Sequence, residues 1–417
     1  MSQIATSPAP SIGRPGLNRT ATVAVVVCWL FVVFDGYDLI VYGNVISSLQ
    51  KEWGISAATA GTLGSLAFLG MMIGAVLAGR LSDAIGRKRA VIGCAVILSV
   101  FTALCALATG PVMFGALRLI AGLGLGGLVP TANALAAELI APKWRAAIAT
   151  MMMSGVPIGG SIAALLGIPV IPAWGWQPMF LFALVPLAVL VPIACKTLPS
   201  RTLAHPGNNP GQGFGALLGP RFRAISIMFA LATVVTLLAW YGLGTWLPKL
   251  MQGEGTDLGS ALTFALALNL GAVAGSFITA WGGVRFGTIP TSIVAALVAG
   301  FALLALLANP PLALIYVIFV LAGVGTHGTQ CLIIAAVASY YPDQLRGTAL
   351  GWALGVGRIG AVAAPQIGGW LLAAGLGADS NFILFGASAL IASLLLTVIA
   401  YRFQVSDDAP RGPVLAH

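Results

Sequence analysis

The apolar residues of this chain fall in twelve runs, each about as long as a lipid bilayer is thick. The runs lie near 21–46, 58–79, 90–109, 112–138, 147–170 and 177–196, then 222–248, 259–281, 288–308, 311–338, 346–374 and 381–402. A helix needs roughly 20 such residues to cross the hydrocarbon core. Composition agrees: 59% of residues are hydrophobic and 7% charged, whereas a soluble domain carries about 25% charged residues. The pattern predicts an all-α polytopic membrane protein. Polar residues 1–20 lead into a run too long for the h-region of a signal peptide, so that run is expected to stay as the first helix. The Gly/Pro/Asn-rich stretch 198–221 reads as a linker between two six-helix bundles, 21–197 and 222–402, with tails at 1–20 and 403–417.

Twelve spans put both termini on one side, and sixteen of the 20 Lys and Arg residues then fall on that side. The positive-inside rule makes it cytoplasmic, which turns the net charge of +9 into a topological signal. No basic cluster with interleaved aromatics points to nucleic acid. Cys28, Cys94, Cys105, Cys195 and Cys331 lie in apolar segments without CxxC spacing, and read as small core residues, neither disulfide partners nor metal ligands. HExxH, GxSxG and Walker-type phosphate loops are missing, which argues against an enzyme or a cofactor site.

The two halves echo each other. Gly86 and Gly287 follow the second and eighth spans, Arg145 and Arg346 precede the fifth and eleventh, and each pair is separated by 201 residues. Duplication of this kind builds many secondary transporters. Gly70 with Gly74, Gly155 with Gly159 and Gly351 with Gly355 have the spacing that lets helix backbones approach closely in lipid. Gly122, Gly124 and Gly127 carry GxGxxG spacing, but no strand precedes them, so packing explains them better than a nucleotide.

Charges inside the spans demand a reason, since each costs roughly 2.5–3.5 kcal/mol at the bilayer centre on insertion scales. Asp35 and Asp38 lie three residues apart in the first span, on neighbouring positions of one face. They read as a structural ion pair with another helix or as a proton or substrate site. Arg118 enters the fourth span roughly 10 Å below the outer surface, and Asp35 lies roughly 20 Å up the first from the other side. Similar depth makes Asp35–Arg118 the expected pair and leaves Asp38 as the carboxyl without a partner and the better proton carrier. Glu138 closes the fourth span near Arg145, either as a helix-end ion pair or with a part in transport. His327 and Gln330 share the Gly-rich tenth span. Arg358, in the eleventh, has no acidic residue within the spans of its own half, which makes an anionic substrate its natural partner. Trp240 and Tyr241 sit deep enough to stack on a planar ligand, while Trp246, near Pro248, reads as an interfacial anchor.

Residues 79–89, GRLSDAIGRKR, follow the second span and resemble the loop signature of the major facilitator superfamily; Arg118 with its Gly-rich run is similar to a second signature. The equivalent loop of the second half keeps Gly287 but has Val284 and Thr288 where Asp83 and Arg87 would align. DGYDLIVYG in the first span, the stretch from Arg118 to Glu138, YGLGTWLPKLM and the segment around Arg358 together resemble the aromatic acid:proton symporters of that superfamily. The resemblance implies proton-driven uptake of benzoate-like or hydroxybenzoate-like anions across the bacterial inner membrane by a protein working as a monomer. It carries functional positions onto Asp35, Asp38, Asp83, Arg118, Glu138, His327 and Arg358. On this reading Asp35 or Asp38, with Arg118 and Glu138, handles the proton. Arg358, with Arg118, holds the carboxylate; Tyr37, Trp240 and Tyr241 bracket the ring; His327 and Gln330 complete the pocket. Gly79, Asp83, Gly86 and Arg87 form a cytoplasmic gate. A transporter of the same fold for a non-aromatic organic anion, or a drug exporter, is the alternative.

Overall fold

The computed structural model describes residues 19–141, 144–199 and 215–403. Among these run twelve helical segments: Arg19–Trp53, Ala57–Ile85, Arg87–Cys105, Pro111–Leu139, Arg145–Trp174 and Gln177–Thr197, then Arg223–Gly253, Leu258–Phe286, Thr288–Ala305, Leu312–Tyr340, Asp343–Ala373 and Gly377–Arg402. Eleven are long and apolar enough to cross a membrane. The eleventh helix in chain order is as long as its neighbours, but Arg358 and Gln366 dilute its apolar character. Most of the expected linker, residues 200–214, lies outside the described residues.

Helix ends follow local chemistry more than hydropathy. The first helix outruns its apolar stretch through Gln50 and Glu52, because nothing breaks it before Gly54, at φ 62°. The sixth is interrupted by a π-type turn over Pro186–Leu190, where proline removes a backbone donor. Ser56 caps the second helix by accepting from the Thr59 N–H at 3.1 Å, and Asp257 caps the eighth by accepting from the Ser260 N–H at 3.1 Å. The Ser260 hydroxyl and N–H hold the Asp257 carboxyl below its usual pKa. Gly86 and Gly287, at φ 89° and 95°, make the two turns that only glycine adopts freely.

These matched caps and turns keep the 201-residue offset, and so does the packing. The second helix lies on the fourth, the first on the fifth and the third on the fourth; eighth on tenth, seventh on eleventh and ninth on tenth repeat the scheme. A side chain on Gly70 would collide with the Leu119 carbonyl, and one on Gly271 with that of Val320. The GxGxxG run is likewise a packing surface, with Gly122 against Ala67 and Gly124 against Cys94. Gly155 and Gly159 meet the first helix, but Gly351 and Gly355 face open space, so the third expected glycine contact does not form. Outward-facing side chains such as Leu77, Phe277, Phe301 and Leu394 are apolar, as lipid requires. Of the cysteines, Cys195 is exposed and Cys331 half-buried, contrary to a uniform core role.

The halves meet where the second helix lies on the eleventh, the fifth on the eighth and the first on the seventh. These seams are confined to the end remote from the termini. There one apolar cluster joins both halves through residues such as Tyr42, Phe114, Trp246, Phe264 and Phe382. At the termini end the core divides: one cluster belongs to the first half apart from Leu237 and Ala361, the other to the second half alone. Between them opens a vestibule of about 380 Å³, walled by Met153 of the fifth helix and by Ser276, Gly283, Cys331 and Leu350 of the second half. The remote end is packed across both halves, whereas at the termini end the described residues leave this vestibule between them.

Candidate functional site

The depth count pairs Arg118 with the wrong aspartate. Its Nη1 donates to both carboxylate oxygens of Asp38 at 2.8 Å, and its Nη2 to the Asp38 carbonyl at 3.3 Å. The Thr102 hydroxyl adds a third side-chain bond to Asp38 at 2.6 Å, and the guanidinium lies 6.0 Å from the centre of the Tyr42 ring. All of this is buried within the first half. Three residues turn a helix by about 300°. Asp35 therefore points some 60° away from Asp38, less than a turn apart in height, and direction rather than depth decides the partner.

Asp35 instead borders a cavity of about 160 Å³ between the halves. Its Oδ1 has no hydrogen-bond partner. From the second half come Trp240, Tyr241, His327, Gln330 and Arg358, five residues singled out from sequence. Arg358 acts electrostatically on both Asp35 and Tyr241. The Trp240 ring lies 5.1 Å from that of His327, tilted by 48°, and Tyr241 packs on Phe68 at 4.7 Å. Met71, Leu125, Val129, Val156 and Leu354 supply apolar walls. A cavity near this size holds one benzene-sized ring.

Asn133, on the same wall, was missed by the sequence reading. Its signal was an uncharged polar residue four turns below Arg118 in the same helix, which a search for charges passes over.

Other expected residues lie elsewhere. Tyr37 turns to the sixth helix, where its hydroxyl donates to the Met179 carbonyl at 2.7 Å and its ring meets Phe182 edge-on. Trp246 is no interfacial anchor: it is fully buried and its indole N–H donates to the Pro365 carbonyl at 3.0 Å, tying the seventh helix to the eleventh. Glu138 sits at the termini end, accepting from Arg87 Nε at 3.1 Å, while Arg87 also donates to Ser82 at 3.3 Å. Gly86 makes the turn that brings Arg87 there. Gly79 and Asp83, the other gate residues, lie in the last two turns of the second helix, Ala57–Ile85.

The model of the Major Facilitator Superfamily matches residues 28–312 and 267–414. A gentisate transporter of Corynebacterium glutamicum is 61% identical over 393 residues, spanning 92% of this chain and 88% of that protein. A benzoate transport protein of Acinetobacter baylyi is 32% identical over 427 residues, spanning 94% and 91%. Among solved structures, a D-xylose–proton symporter matches with a TM-score of 0.75 at 18% identity, covering 93% of this chain and 98% of that one.

Proposed function

The chain belongs to the Major Facilitator Superfamily, and on that premise we propose that it imports an aromatic carboxylate together with a proton, by alternating access. The observation that carries this reading is the cavity between the halves. It has the volume of one ring, a half-buried Arg358 to receive a carboxylate, Trp240 and Tyr241 to lie against the ring, and at its edge an aspartate whose Oδ1 has no hydrogen-bond partner. The name of the 61% identical relative makes gentisate the first substrate to test.

A charge is costly to bury unless it is paired. Asp35 shares the cavity with Arg358 and is the carboxylate that interacts with it electrostatically. An arriving carboxylate takes the guanidinium for itself, and Asp35 is then most cheaply carried as the neutral acid. Substrate and proton load together because each relieves the other's burial. Asp38 is held by Arg118 and Thr102 in this state, so the proton role passes to Asp35, reversing the preference drawn from sequence. By the positive-inside rule the termini end is cytoplasmic, which makes the vestibule the release path and Arg87 with Glu138 part of the inner gate of a bacterial inner-membrane protein.

Uptake into right-side-out vesicles tests the reading. Accumulation of labelled gentisate should follow an inward proton gradient and collapse with a protonophore, and Arg358→Ala should weaken binding at least tenfold. Accumulation indifferent to the gradient removes the coupling; undiminished affinity in Arg358→Ala removes the carboxylate assignment.

A further inference from the structure

Arg358 and Asp35 account for the carboxylate and the proton, and they leave three polar atoms on the cavity wall unexplained. Asn133 Oδ1 on the fourth helix, Gln330 Oε1 and His327 Nε2 on the tenth are buried, face the cavity and have no hydrogen-bond partner. Unpaired buried polar atoms are rare because each forfeits its hydration without return. Three on one small cavity point to a ligand that supplies the missing bonds.

A benzoate spends its only polar group on Arg358 and offers the rest of the wall C–H edges. A ring hydroxyl offers a donor and an acceptor on the same atom. An amide side chain also presents both, so the match holds whichever way the Asn133 and Gln330 amides are turned. The two amides come from opposite halves, so they reach the ring from opposite sides of the seam and can read two substituents separately.

Resting on the aromatic-acid reading above, we propose that Asn133 and Gln330 are specificity residues that hydrogen-bond ring hydroxyls, making the site selective for hydroxylated over unsubstituted benzoates. His327, whose ring lies against Trp240, presents its unpaired Nε2 on the same wall. A site built to bond a hydroxyl discriminates strongly against the analogue that lacks it, because its own polar groups are then left unpaired.

The test is equilibrium binding to the purified full-length protein in nanodiscs, followed by displacement of labelled 2,5-dihydroxybenzoate. The ligands are benzoate, 2-hydroxybenzoate, 3-hydroxybenzoate and 2,5-dihydroxybenzoate. The wild type is expected to prefer the dihydroxy acid over benzoate by about 10- to 100-fold, up to about tenfold for each hydroxyl bonded. Asn133→Leu and Gln330→Met should each cut that ratio by up to about tenfold, each at a different ring position as reported by the two monohydroxy acids. Asn133→Ala and Gln330→Ala give the same expectation should either isosteric variant fail to fold. Equal affinity of the wild type for benzoate and the dihydroxy acid, or ratios unchanged in the variants, overturns the assignment while leaving aromatic-acid transport standing. If the wild type binds none of the four, the aromatic-acid reading falls as well.

Discussion

Asp35 and Asp38 share a helix and a level of burial, yet their surroundings divide their work. Asp38 accepts two bonds from Arg118 and one from Thr102, so Asp38→Asn leaves a buried guanidinium without its counter-charge. Breaking such a pair from one side costs about 3–5 kcal/mol, whereas replacing both partners with apolar residues is close to neutral. Thermal unfolding in detergent should therefore fall steeply for Asp38→Asn and recover in Asp38→Leu/Arg118→Met. Asp35→Asn loses no hydrogen bond at Oδ1. Arg358, the cation that loses its counter-charge, is only half-buried, so the loss of stability should be well below that of Asp38→Asn, while substrate exchange continues and proton-driven accumulation stops. That both aspartates matter was legible in the sequence, because a carboxylate amid apolar residues is an anomaly by itself. Which one Arg118 holds was not, since the choice turns on a rotation that residue counting does not resolve.

At the scale of the helix, glycine spacing announced close packing without saying which face would be used. Gly159 lies on the Val33 carbonyl of the first helix, and Gly360 repeats the contact on Val234 in the second half. Neither backbone can give way easily, so Gly159→Ala should cost about 1–3 kcal/mol by overpacking. Gly351 has the same kind of spacing with Gly355 and meets nothing. There an added methyl group only restricts the unfolded chain, and Gly351→Ala should be neutral or stabilising by about 0.4–1 kcal/mol. Melting temperatures of the two variants, measured side by side, check the contrast; equal losses would mean that the eleventh helix packs on a surface these contacts do not include. Periodicity is as good at both sites, and only the neighbouring helix distinguishes them. The same limit explains Trp246, whose place near a helix end suggested the interface until Pro365 supplied its partner.

Across the whole molecule, the duplication visible as two matched residue pairs extends to caps, turns and glycine contacts, yet the Arg118–Asp38 ion pair has no counterpart in the second half. The positions of Asp38, Thr102 and Arg118 correspond at the same offset to Ala239, Leu303 and Phe319, all buried in the apolar cluster of the remote end. One copy of the scaffold holds an ion pair where the other holds packing. Closure of the remote end falls to the seams between halves, where Gly61 lies on the Pro365 carbonyl, Thr62 donates to Gln366 at 2.8 Å and Ser65 donates to the Val362 carbonyl at 2.6 Å. A side chain at Gly61 cannot coexist with that seam, so Gly61→Leu should hold the remote end apart and close the vestibule. Cys331 reports on this, because it lines the vestibule and is half-buried, while Cys28, Cys94 and Cys105 are buried. In a Cys195→Ser background, which removes the exposed thiol, maleimide labelling of Cys331 should slow by roughly the factor that the population shifts, about 100-fold for a bias of about 2.7 kcal/mol. Labelling of Gly61→Leu at the wild-type rate would mean that the second and eleventh helices do not govern the exchange between states.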